Sequence, residues 1–227
     1  MKNDKTVDEL LMDEMGDSHA SSSAVTPMRP DAFDMTDYQK KAKIEEHFFQ
    51  IMETLGLDMT DDSLKGTPHR VSKMFVNEIF QGLDPKKKPK MSTFSNKYGY
   101  DKMLVEKHIS VNSTCEHHFL PIVGKAHVAY ISTGNVIGLS KINRIVDYYS
   151  RRPQVQERLT IQIMEELKAA LETESVAVVI EAQHLCVTSR GINDRTSTTV
   201  TVEYSGEFNN ESTKAEFLKY IGHGINI

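Results

Sequence analysis

Both cysteines of this 227-residue chain stand beside histidines, in Cys115-Glu116-His117-His118 and in His184-Leu185-Cys186. Thiolate and imidazole together are the donors that a borderline-soft ion such as Zn²⁺ selects, and a Cys-x-x-His turn can supply two ligands from one loop. If residues 175–187 form a strand, His184 and Cys186 lie two apart and project from the same face. A ligand pair from a turn plus one thiolate from a strand makes three, leaving a fourth position for water. That count describes a catalytic zinc better than a structural one. Spacing alone leaves open whether His117 or His118 is the ligand. Two other readings compete. A Cys115–Cys186 disulfide fits poorly, because Asp4, Asp8 and Glu9 interrupt any apolar signal-peptide core and cytosolic chains rarely hold structural disulfides. Alternatively, both cysteines are buried for packing and their histidines are incidental.

Several elements must bring these residues together. Residues 1–35 read as a disordered polar, acidic tail, in which a short helix around Leu10-Leu11-Met12 would need a partner. Residues 36–90 form a helical region. Thr36 and Gln39 fit a capping box, and Ile44, Phe48, Ile51, Met52 and Leu55 recur at helical spacing until Gly56. A second helix is capped by Thr67, has Pro68 in its first turn and stops at Gly82, with the lysines at 86–90 as a solvated connector. Residues 91–227 form the catalytic domain. Strands are expected at 103–111, 124–131 and 135–139, the last two joined by a turn at Thr133-Gly134. Helices follow at 140–151, opening at Ser140, and at 154–172, then strands at 176–187 and 196–204, and a short helix at 212–221. Without its helical front end the order is ββααββ, an α+β class with an antiparallel sheet covered on one face by helices.

Composition narrows the function classes. With 39% apolar residues the chain can build a core, and 26% charged residues suit a soluble protein, expected in the cytoplasm. No apolar run approaches a membrane span. The net charge of −5 argues against a general nucleic-acid binder, so an anionic ligand would need a local collection of cations.

Five motifs in order carry a family resemblance: Cys115-Glu116-His117-His118, Val136-Ile137-Gly138-Leu139-Ser140-Lys141-Ile142, the stretch from Arg152-Pro153 to Leu159-Thr160, His184-Leu185-Cys186, and Arg190-Gly191. Over residues 40–208 the chain closely resembles GTP cyclohydrolase I. The resemblance implies the tunnelling fold, with sheets closing into a barrel across subunits of a toroidal homodecamer and active sites at subunit boundaries. It implies conversion of GTP and water to formate and 7,8-dihydroneopterin triphosphate, the first step of pterin and folate biosynthesis. It also assigns Zn²⁺ to Cys115, His118 and Cys186.

Residue roles follow from that chemistry. Purine C8 is a poor electrophile, so N7 must be protonated as water adds. His184 is the expected general acid/base, and His117 the proton shuttle in formamide hydrolysis. Guanine offers N1–H and the 2-amino group, which suit the two oxygens of a carboxylate, whereas adenine would face it with a lone pair. The motif gives Glu157 this role, with Gln156 helping to fix the base. For the triphosphate, Lys141 and Arg144 stand three apart at a helix start, and Arg190 follows the ligand strand. The resemblance adds Arg70 from a neighbouring subunit and Ser140 at the ribose. Arg151, Arg152, Arg158 and Arg195 read as surface or structural ion pairs. Two alternatives remain: a same-fold nitrile reductase acting on a deazaguanine, and a catalytically silent, zinc-stabilised homologue.

Overall fold

The computed structural model describes residues 23–222. The short helix considered around Leu10-Leu11-Met12 lies outside them. Helix α1 (Asp37–Thr54) starts on the expected capping box: the Thr36 hydroxyl accepts from the Gln39 N–H at 3.3 Å, and Gln39 Oε1 accepts from the Thr36 N–H at 2.8 Å. It packs against α2 (Thr67–Met74), which is capped by Gly66, so Thr67 is the first helical residue and not the cap. The helix runs on as a π-turn over Phe75–Ile79.

Gly82 does more than end that segment. It lies in a 3₁₀ turn (Gln81–Leu83), where a Cβ would come within 2.0 Å of the Tyr148 carbonyl oxygen, and its N–H donates to the Arg151 carbonyl at 2.9 Å. Arg152 Nε returns a bond to the Gly82 carbonyl at 2.8 Å. One backbone and one side-chain hydrogen bond thus tie the helical front end to residues 151 and 152.

The remaining elements are β1 (Thr93–Ser95), β2 (Met103–Cys115), β3 (Pro121–Ile131), β4 (Asn135–Ile137), α3 (Leu139–Ser150), β5 (Pro153–Gln154), α4 (Gln156–Leu171), β6 (Val176–His184), β7 (Thr199–Tyr204) and α5 (Glu211–Gly222). A five-stranded sheet has the order β5-β2-β3-β6-β7, antiparallel throughout except for the short parallel pair β5–β2. This is the ββααββ order expected. The expected pairing of 124–131 with 135–139 does not form: β4 pairs with β1, a strand that the sequence pattern did not reveal, in a separate two-stranded sheet.

Helices α3 and α4 cover one face. Ile142, Ile145, Leu159, Ile163 and Leu167 interlock there with Val111, Ile122, Val128, Val178 and Ile180. Each such side chain, fully buried, contributes about 1.5–3 kcal/mol. One end of the opposite face is covered by α5, whose Phe217 and Ile221 meet Ala129, Ala177 and Val179. Among the described residues no helix is long and apolar enough to cross a membrane.

Candidate active site

The site forms where β2 and β6 leave the sheet. Strand β2 ends on Cys115, and a tight turn follows: the Phe119 N–H donates to the Cys115 carbonyl at 2.9 Å, and the Cys115 N–H to the Leu120 carbonyl at 2.8 Å. Two strands across the sheet, β6 ends at His184, which pairs with Ile122 of the intervening β3.

Cys186 corrects the sequence reading. It is not on a strand face shared with His184 but in a single helical turn, Leu185–Thr188. The next position on β3 is Pro121, which has no N–H to extend the ladder, so the chain curls away. The curl delivers the sulfur to its neighbours. Ligand atoms of Cys115, His118 and Cys186 all lie within 4.8 Å of one another. Both cysteines are free thiols.

Two sulfurs and one imidazole are a donor set that fits zinc. Burial, together with the hydrogen bond and charge of Cys115, pushes the Cys186 thiol up to about 11, while the nearby Arg190 pulls the other way. Crowded, buried sulfurs of this kind resist ionising unless a cation compensates them. His117 also stays near, its Nδ1 at 3.8 Å from Cys115 Sγ and its Nε2 at 3.7 Å from Glu116 Oε1.

His184 is held from behind. Its Nε2 lies 2.7 Å from Gln156 Oε1. Gln156 is buried, and its Nε2 is surrounded by the Ile180 carbonyl at 3.0 Å, the Thr199 carbonyl at 2.9 Å and Thr201 Oγ1 at 3.1 Å. Those acceptors fix the amide's orientation, so Oε1 accepts from His184. The imidazole is therefore protonated on Nε2, with Nδ1 left as the basic nitrogen. Burial holds the His184 pKa below the ordinary histidine value, and the charge of Glu157 offsets part of that effect. Glu157 itself is exposed, in the first turn of α4. Gln156, expected beside the base, is committed to the protein instead.

The expected phosphate ligands are spread more widely. Arg190 is exposed close to Cys186. Ser140 and Lys141 sit in the first turn of α3, which Gly138 caps in place of the expected Ser140. Arg144 lines a cleft with Gln81, Lys87 and Arg151 that none of the thiol-site residues reaches. Arg70 stands exposed on α2, its guanidinium on the Ser63 carbonyl and the Thr67 hydroxyl.

Arg158, read from the sequence as a surface or structural ion pair, forms a structural one, while its partner Glu116 and the nearby Phe119 escaped the sequence reading. Arg158 is only 3% exposed, and its guanidinium grips Glu116 with both Nη atoms, at 2.5 and 3.2 Å. The position of Glu116 inside the Cys-x-x-His motif was the available signal. On the other side of the turn, the Phe119 ring meets Phe80 edge-on at 5.3 Å.

Comparison with known proteins agrees with this geometry. Residues 44–222 match the family model for GTP cyclohydrolase I. GTP cyclohydrolase 1 of Flavobacterium johnsoniae is 64% identical over 213 residues, covering 94% of this chain and 96% of the relative. The Aeromonas salmonicida protein of the same name is 56% identical, covering 85% and 88%. One from Escherichia coli is 50% identical, covering 87% and 90%.

Proposed function

The chain belongs to the GTP cyclohydrolase I family, and from that premise we propose that it hydrolyses GTP to formate and 7,8-dihydroneopterin triphosphate at a zinc centre. The observation that carries this reading is the convergence of Cys115, His118 and Cys186 beside a tautomerically fixed His184. When bound, zinc supplies the Lewis acidity that makes water nucleophilic near neutral pH.

The chain's own residues do the rest. His184 Nδ1 holds and moves the proton that N7 of the purine needs, and its fixed ring presents that nitrogen without a reorientation step. His117 shuttles a proton as the formamide is cleaved. Glu157 accepts from guanine N1–H and the 2-amino group. Lys141, Arg144 and Arg190 hold the triphosphate, Ser140 contacts the ribose, and Arg70 of a neighbouring subunit completes the anion pocket. Arg144 lines a cleft that no thiol-site residue reaches, and Arg70 is occupied with Ser63 and Thr67, an arrangement that suits a site completed across subunits. The working form is a cytoplasmic homodecamer feeding pterin and folate biosynthesis.

The test is incubation of purified protein with GTP, with and without a chelator, following formate and the pterin's absorbance together. Equal, chelator-sensitive release of both supports the proposal. Zinc-loaded protein that yields neither is the silent homologue, and metal-free consumption of NADPH with a nitrile substrate is the reductase.

A further inference from the structure

The first described residues of the chain reach the metal-binding turn through one buried arginine. Arg158 Nε donates to the Ser23 carbonyl at 2.8 Å, while its two Nη atoms hold the carboxylate of Glu116. Glu116 lies between Cys115 and His117, and its N–H is tied to the Gln154 carbonyl at 3.0 Å. The segment is pinned further along. Gln162 Nε2 donates to the Ala24 carbonyl at 2.9 Å and to Thr26 Oγ1 at 3.2 Å, and Arg152 Nη1 reaches the same hydroxyl at 3.2 Å. Gln154 Nε2 donates to Gln162 Oε1 at 2.9 Å, so the strap and the Cys115 turn share one hydrogen-bonded network.

A surface ion pair would contribute little to anything. This pair is different, because the guanidinium is almost wholly buried and all three of its nitrogens are used. Loss of any one partner leaves a desolvated charge to be rehoused, and the adjacent backbone carries a ligand. We infer that Arg158 is a positioning residue for the metal-binding turn and that residues 23–26 are a strap that completes its grip. The polar partners of the Arg158 guanidinium are Ser23 and Glu116, neither of them a proposed ligand. Arg158 acts through Glu116, fixing the direction in which Cys115 and His118 present their donor atoms. This inference rests on the zinc reading of the site.

The experiment uses the full-length zinc-loaded protein and measures the rate of zinc transfer to an excess of a chromophoric chelator, well below the unfolding temperature, alongside kcat and KM for GTP. Arg158→Lys keeps the charge but loses the planar fork, and is expected to release zinc about tenfold faster, in line with the loss typical for outer partners of metal ligands. KM should stay within twofold. Thr26→Val, which alters only the strap contacts, should accelerate release in the same direction by about threefold. If Arg158→Lys does not fold, Thr26→Val alone decides. Zinc release within twofold of the wild type in the folded Arg158→Lys protein overturns the inference. An unchanged Thr26→Val beside a fast Arg158→Lys removes the strap from it. Wild-type protein that retains no metal fails the zinc reading instead, a distinct result.

Discussion

With three acceptors around its Nε2, the Gln156 amide has one orientation, and His184 inherits a single neutral tautomer from it. At this scale two substitutions separate chemistry from metal binding. His184→Ala should retain zinc and lower kcat by about 10²–10⁴-fold, the range lost with a positioned acid/base. Gln156→Leu should retain zinc and lower kcat through loss of the tautomer lock, with little change in KM. Formate release and metal content measured on the same samples check both; turnover at the wild-type rate in either variant contradicts the role assigned. The candidate metal site was legible because the chain has two cysteines, each with a histidine close by, whereas the choice of His118 over His117 came from the family resemblance and not from spacing. The route of Cys186 to the site was not legible. Residues 176–187 read as one strand, and periodicity cannot show where pairing partners run out. Pro121 on the neighbouring strand ends the ladder at His184. Adjacency in sequence puts the Gln156 and Glu157 side chains about 100° apart on a helix, one inward and one outward, so the contact of Gln156 with His184 left no mark in the sequence.

Elements carry a second group of expectations. Gly82 lets the front-end helices approach the end of α3, and a methyl group there has a backbone carbonyl 2.0 Å away. Gly82→Ala should therefore cost about 1–3 kcal/mol of stability, read as a lowered denaturation midpoint. In the sequence Gly82 looked like a helix stop, because a close approach between distant segments leaves no local mark. Strand β1, the partner of the expected strand β4, was hidden for a similar reason, since three residues offer too few positions for alternation to register.

On the sheet, buried His127 of β3 packs edge-on against His108 at 5.0 Å, and burial, then the charges of His108, Lys107 and Lys125, push its pKa down to about 4. An unfolded histidine binds its proton near pH 6.5, so between that value and 4 the unfolded state holds more protons than the folded one. Stability is fully present above about pH 6.5 and declines as the pH falls to about 4, by up to about 3 kcal/mol from this residue. Denaturation of His127→Leu across that range should give a flatter profile than the wild type; parallel profiles would contradict the assignment.

For the whole molecule, the five-stranded sheet of one chain ends, among the described residues, on an unpaired edge. Strand β7 forms the last position in the order, and its Val200 and Val202 are 56% and 47% exposed. Natural sheets rarely leave such an edge uncovered. The proposed decamer covers it, and light scattering should give ten times the mass of the chain; a monomer at working concentrations would contradict the assembly. The order ββααββ was readable because each element buries a periodic apolar stripe. Which chains meet was not readable, because an interface pattern looks like any exposed apolar residue until its partner is present. The strap at residues 23–26 was equally silent, since half of its contacts run through backbone carbonyls that any residue would offer and the others through a single threonine hydroxyl.

The most direct measurement is the zinc K-edge absorption spectrum of the purified protein. One zinc per chain with two sulfurs at about 2.3 Å and lighter donors at about 2.0–2.1 Å is expected. A zinc environment without sulfur, or full GTP turnover by protein free of metal, would contradict the account.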